Sequence, residues 1–161
     1  MKILKFITLL LITNMTVSPA LAEISADTNT EQAVADCDLT SREVVENFTE
    51  MLFGQRQVRA AFETWVREDY IQHKPSIADG REPVIEFLED LFDRFPGRIF
   101  TIHRFIDSND LVAVHYHSQA NIDDLGFAVV DIFRVENCLI AEHWDVVQPV
   151  PAESSNNNTM F

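Results

Sequence analysis

The sequence predicts an α+β fold in which three N-terminal helices pack on a curved, mainly antiparallel sheet and enclose a pocket. Three observations predict it. Apolar residues recur at helical spacing between Val44 and Phe95. They alternate at strand spacing between Arg98 and Val147, with short polar turns separating the runs. The last run, Leu139–Val147, carries His143 and Asp145 on one side and Glu142 and Trp144 on the other. Neither side is simply polar, which suits a lined cavity better than a plain two-layer sheet. Helices first and strands afterwards place the helices together on one face of the sheet.

The elements follow from local chemistry. Thr40 with Glu43 forms a capping-box pattern, and Val44, Val45, Phe48, Met51 and Leu52 give the first helix one apolar face ending at Gly54. A second helix runs from about Val58 to Val66, with Ala61, Phe62 and Trp65 inward. Tyr70–Pro75 is short and extended, closed by the proline, and Asp79-Gly80 marks a turn. A third helix spans about Pro83 to Phe95, with the proline where its missing N–H costs least, and Pro96-Gly97 ends it. Four strands complete the sheet: Arg98–Ile106, Leu111–Ser118, Gly126–Val135 and the stretch from Leu139. Turns at 107–110 and 136–138 make hairpins of them.

The ends are different in kind. Lys2 and Lys5 precede an apolar run, Phe6–Ile12, and Ala20-Leu21-Ala22 is a small-x-small cleavage site. The run is too short to span a bilayer. Residues 1–22 therefore read as a signal peptide, and the product as an exported protein, periplasmic or secreted, with no membrane attachment after cleavage. Residues 23–39 read as a flexible segment, 40–151 as the domain and 152–161 as a polar tail whose apolar end, Met160-Phe161, docks on the body or on a partner subunit. Cys37 and Cys138 suit a disulfide in an oxidising compartment, or two buried thiols. The bridge would close a loop of about 100 residues, worth on the order of 4 kcal/mol.

Charge and motif content exclude several function classes. The formal net charge is −14, and removal of Lys2 and Lys5 makes the chain more acidic still. Such a surface repels phosphate backbones, so nucleic acid and anionic membranes are poor partners. Only four glycines are present and no Gly-rich phosphate loop or GxSxG elbow occurs.

The remaining chemistry lies in histidines and aspartates. His115-Tyr116-His117 puts two imidazoles on one face of a strand. That is half of a metal site, with His73, Asp131 or His143 as a further ligand, but no HExxH or facial-triad spacing accompanies it, so a metal-free pair is the preferred reading. Asp131 sits in the apolar run Val129–Phe133, where a carboxylate must face a polar pocket or a partner. Proton abstraction beside a carbonyl needs a base and a donor for the enolate oxygen. Asp145 or Asp131 fits the base, and His73, His117 or Tyr70 the donor. Phe133, Trp144, His115 and His143 are the expected lining of the binding site. A structural network in which Asp145 merely orients His143 is the competing reading.

Taken together, Tyr70-Ile71-Gln72-His73-Lys74-Pro75, Asp79-Gly80, Asp131-Ile132-Phe133-Arg134, Glu142-His143-Trp144-Asp145-Val146 with Gln148-Pro149, and the ending Asn158-Thr159-Met160-Phe161 resemble the SnoaL-like branch of the nuclear transport factor 2-like (NTF2-like) superfamily. The resemblance covers about residues 41 to 161. It implies a cone-shaped fold, a homodimer formed through the sheet, and a pocket between sheet and helices. It also implies polyketide cyclase-like acid–base chemistry without a cofactor, with an aspartate on a late strand, matched here by Asp145, as base. His73, His117 and Asp131 would polarise or orient the substrate, a small and partly apolar carbonyl compound. The superfamily also contains binding proteins, so non-catalytic capture of a small molecule in the same pocket is the alternative.

Overall fold

The computed structural model describes residues 38–161. The expected signal peptide, the residues following it and Cys37 lie outside the described residues. Cys138 lies within them and is not a free thiol.

Helix α1, Ser41–Thr49, starts at the expected cap. The Glu43 amide donates to the Thr40 hydroxyl at 3.2 Å, and the Thr40 amide donates back to the Glu43 carboxylate at 2.7 Å. This closes the capping box and satisfies two amides that the helix cannot pair itself. The helix continues into a π-helical turn, Glu50–Gly54. The wider turn inserts an extra residue into the helical phase, so Leu52 and Phe53 both reach the cavity. Helix α2, Val58–Trp65, buries Val58, Ala61 and Phe62.

Strand β1, Val66–Gln72, follows α2 without a linker. Val66 therefore opens a strand, where the sequence reading had it closing a helix. After the turn, Gly80 (φ 86°) precedes α3, Arg81–Arg94, and Pro83 falls in its first turn. Strands β2 (Ile99–Ser108), β3 (Leu111–Gln119), β4 (Phe127–Glu136) and β5 (Leu139–Pro149) form an antiparallel meander. Strand β1 adds to its β5 edge in parallel, giving a five-stranded sheet of order β1-β5-β4-β3-β2.

Two local features set the phase of the sheet. Asn137 and Cys138 both have positive φ, a tight two-residue turn joining β4 to β5. Just beyond it Val135 pairs with Ile140 and Arg134 with Glu142, leaving Ala141 as a bulge. Ile140 is consequently fully buried, although strict alternation had set it on the same face as Glu142 and Trp144. From Glu142 onward alternation holds.

The three helices cover one face of this sheet. Phe48 is the centre of the core, edge-on to Phe62 at 5.1 Å and to Phe133 at 5.6 Å. With Val44, Val45, Ile85, Val112, Val114 and Ile140 it is essentially removed from water. Burying each such side chain contributes roughly 1.5–3 kcal/mol.

Candidate active site

The core does not fill the space between helices and sheet. A cavity of about 260 Å³ remains. Its helical side is apolar, made by Phe53 and Leu52 of the π turn and by Val84, Phe87, Leu88 and Leu91 of α3. Its sheet side carries the polar groups.

Parity decides which polar groups these are. In β3 the positions Val112, Val114, Tyr116 and Ser118 are buried and their neighbours are not. In β4 the inward positions include Val129, Asp131 and Phe133, and in β5 His143 and Asp145. Tyr70 and Gln72 of β1, and Lys74 just after it, complete the polar wall.

Asp131 and Asp145 are register partners across β4 and β5. Two carboxylates so placed repel each other unless each has its own compensation. The Asp131 carboxylate accepts a hydrogen bond from the Tyr116 hydroxyl at 3.0 Å, and its other oxygen lies 3.4 Å from His143 Nε2. Asp145 is ion-paired with the Lys74 ammonium. Among the described residues Lys74 is the only partner of its side chain, which leaves Oδ1 with lone pairs available to a substrate.

A second chain of hydrogen bonds fixes the imidazole. The Lys74 amide donates to Gln72 Oε1 at 2.9 Å, so that atom is the acceptor end of the Gln72 amide. His143 Nδ1, 2.9 Å from the same oxygen, must then carry hydrogen and donate to it. Nε2 is left facing Asp131, a geometry that is complementary when a proton lies between them. The other end of Gln72 donates to the Tyr70 hydroxyl at 2.7 Å. Tyr70 therefore accepts from Gln72, and its own O–H has no acceptor among the described residues. Burial, with Asp131 and Asp145 adding their charge, raises the Tyr70 phenol well above its ordinary value. The same causes raise Tyr116, burial first and Asp131 next. Both stay protonated and able to donate.

Of the residues expected from sequence, Asp145, Asp131, Tyr70, Phe133 and His143 meet in this cavity. His73, His115, His117 and Trp144 do not. They occupy the opposite face of the sheet. His73 stacks on Trp144 at 4.6 Å and bonds Glu142 at 2.7 Å. Glu142 also accepts from Arg134 at 2.8 Å, and these two partners, Arg134 before His73, hold its carboxyl below the ordinary value. His117 Nε2 donates to the Leu125 carbonyl at 2.7 Å. His103, His115 and His117 surround the Phe161 ring, with centroids at 4.6, 5.6 and 4.4 Å, so the tail docks on the outside of its own sheet. The expectation that these histidines turn toward the pocket is corrected for a simple reason. The two imidazoles of His115-Tyr116-His117 do share a face, but Val112 and Val114 share theirs with Tyr116, and the apolar face is the inner one.

Sequence reasoning named no site role for Gln72, Lys74, Tyr116, Arg98 or Ser118. For Tyr116 and Ser118 the signal was present in the alternation of β3. For Gln72 it was present as parity with Tyr70. Nothing local marks Lys74, which reaches Asp145 across the parallel β1–β5 pairing.

Among the described residues no group of three or more His, Cys, Asp or Glu is arranged to hold a metal ion. No curated protein matches this chain. Solved structures with the same fold include IdmH of Streptomyces antibioticus, named as a candidate polyketide cyclase. It is 16% identical, with a TM-score of 0.55 over 68% of this chain and 92% of that one. AclR of Streptomyces galilaeus, named as a candidate hydroxylase, is 13% identical, with a TM-score of 0.57 over 67% and 88%. A candidate isomerase of the SnoaL-like family from Agrobacterium tumefaciens is 10% identical, with a TM-score of 0.55 over 67% and 97%. At these identities the likeness is one of fold. The sequence itself goes further: residues 45–143 match the family model of the SnoaL-like domain, and the chain belongs to that family.

Proposed function

We propose that this protein is a cofactor-free acid–base catalyst of the aldol, isomerase or lyase type, acting on a small, partly apolar carbonyl compound. The observation that carries the reading is the asymmetric carboxylate pair. Asp145 has a lone-pair oxygen open to the cavity beside a Lys74 counter-charge, while Asp131 is engaged by Tyr116 and His143.

In this reading Asp145 takes a proton from the carbon next to the substrate carbonyl, and the C–H electron pair becomes the enolate. The Tyr70 hydroxyl donates to the enolate oxygen, and the Lys74 ammonium stabilises its charge. The enolate carbon then attacks a second carbonyl, whose oxygen becomes an alkoxide and is protonated, or it regains a proton at another position. In this reading the His143–Asp131 pair supplies that proton. The apolar helical wall holds the carbon skeleton and excludes water, which strengthens each of these interactions.

Two expectations from sequence accompany the reading. Export rests on the Lys2–Ala22 pattern. Self-association through the outer sheet face is supported by Ile106 and Val146, apolar and 62% and 64% exposed.

The test is hydrogen exchange at the carbon beside the carbonyl. Aryl methyl ketones and aryl β-diketones are incubated in D₂O and followed by proton NMR. The protein should accelerate exchange, and Asp145→Asn should lower it by about 10²–10⁴-fold with ligand affinity changed by less than about threefold. Binding without acceleration by the unmodified protein would select the non-catalytic alternative.

A further inference from the structure

Arg98 precedes β2 and lines the same cavity far from the carboxylate pair. Its Nη1 donates to the Ser118 hydroxyl at 2.7 Å, and its guanidinium lies 5.2 Å over the Phe95 ring. Its own carbonyl is held by Arg56. The backbone and one corner of the guanidinium are thus fixed. The Nε–H is not: it is buried and has no hydrogen-bond partner, the only such side-chain atom among the described residues.

A buried donor without an acceptor is destabilising, and native structures rarely leave one. Asp124 is near enough to favour the Arg98 charge, but among the described residues no carboxylate forms an ion pair with it. Five other arginines (Arg42, Arg59, Arg67, Arg94 and Arg134) have such partners. A planar guanidinium with a spare N–H, fixed at the wall of an apolar cavity, is suited to an oxygen anion brought in by a ligand.

Register gives the spacing. Ser118 pairs with Phe127, whereas Asp131 pairs with Val114, four residues along the same strand. That separates the two polar groups by about 13 Å along the sheet. Between them stand Tyr116, whose hydroxyl is already bound to Asp131, and the apolar side chains of Val129, Phe100 and Leu91.

We propose that Arg98 and Ser118 form a second subsite that binds a carboxylate or phenolate oxygen, so that the preferred ligand is a flat apolar body with a carbonyl at one end and an anionic oxygen at the other. The ligand class rests on the acid–base reading of the first subsite; the anion subsite itself does not. Burial lowers the Arg98 pKa from its ordinary value but leaves a guanidinium charged at neutral pH.

The probes are 6-acetyl-2-naphthoate and its neutral counterpart 6-acetyl-2-naphthamide, titrated calorimetrically into the purified protein. The protein should bind the carboxylate at least about tenfold more tightly than the amide. Arg98→Gln should bring the two within about twofold, the carboxylate losing the larger share of its affinity. Arg98→Lys should restore part of the preference, and Ser118→Ala should reduce it. These two variants carry the test if Arg98→Gln does not fold. A protein without preference for the carboxylate, or a preference that survives Arg98→Gln, overturns the subsite. Because both probes have exchangeable acetyl hydrogens, exchange is read in the same samples. Arg98-dependent preference without exchange keeps the subsite and removes the acid–base reading. Exchange without the preference does the reverse.

Discussion

Asp131 and Asp145 stand side by side on the cavity wall as register partners of β4 and β5, yet they are held by different groups. Tyr116 and His143 hold the first, and Lys74 the second. Identical side chains in adjacent positions are thereby given different surroundings. Asparagine at each position should separate them. Asp145→Asn should lower ketone exchange by about 10²–10⁴-fold, and Asp131→Asn by nearer tenfold, with some loss of thermal stability because its partners lose a charge-assisted acceptor. Equal losses at both positions would remove the distinction between base and proton relay.

Tyr70 has a hydroxyl that accepts from Gln72 and is free to donate. Tyr70→Phe should therefore lower kcat for exchange by about tenfold or more while changing ligand affinity little, since the lost bond strengthens as the enolate forms. Tyr116→Phe, whose hydroxyl is already engaged by Asp131, should cost less. The ratio of the two kcat losses is the measurement that decides.

The outer-face histidines should be dispensable for chemistry. His73→Gln and His117→Gln each remove a bond on the far side of the sheet, to Glu142 and to the Leu125 carbonyl. Exchange rates should stay within about threefold of the unmodified protein, as expected of positions with no contact to the reacting atoms. A large loss in kcat for either variant would mean that the inner-face site is wrongly placed.

Gly126 has φ +68°, and a Cβ there would lie 2.2 Å from the Ser118 carbonyl oxygen. The β3–β4 connection therefore requires glycine for both conformation and space. Gly126→Ala should destabilise the fold by roughly 1–3 kcal/mol, read as a fall in the midpoint of thermal unfolding. Because Ser118 is displaced directly, the carboxylate preference at Arg98 should fall with it.

Two acid-side losses of stability should be separable. Burial, with Arg104 and His103 nearby, holds the His115 imidazole below its ordinary value of 6.5. Below about pH 6.5 the unfolded chain binds the proton more readily. Stability should therefore fall as pH drops from there and level off beneath the folded value. Glu142 is the opposite charge type, held below its ordinary 4.5 by Arg134 and His73. Its contribution is present above that value and is lost as pH falls through the depressed one. His115→Gln should flatten the first window and Glu142→Gln the second, each by a few degrees in thermal midpoint.

The helices and the meander were legible because their signals are local. Thr40 and Glu43 lie three residues apart, and the apolar stripes need no partner to be read. Strand β1 was legible only in part. Its first half runs directly out of α2, and its pairing with β5 joins residues some seventy positions apart. The π turn, which brings Phe53 within 4.3 Å of Phe100, carries no sequence mark at all. For the site, Asp131, Asp145 and His143 could be found because charge in an apolar strand needs an explanation. His73, His115 and His117 were drawn in by residue type alone. Alternation tells which side chains travel together, and only the burial of Val112 and Val114 tells which way that face looks.

The Phe161 ring, seated among His103, His115 and His117, also makes the sheet its own spectrometer. An aromatic ring shields nuclei above and below its plane. His103, the most nearly parallel of the three at 18°, should have imidazole proton resonances displaced upfield, and those of the two strand-β3 histidines should follow to different extents. Release of the tail would return all three to ordinary positions at once. The attachment of the last residues to the back of the sheet can thus be followed through three of the five histidines, without a label and without touching the cavity.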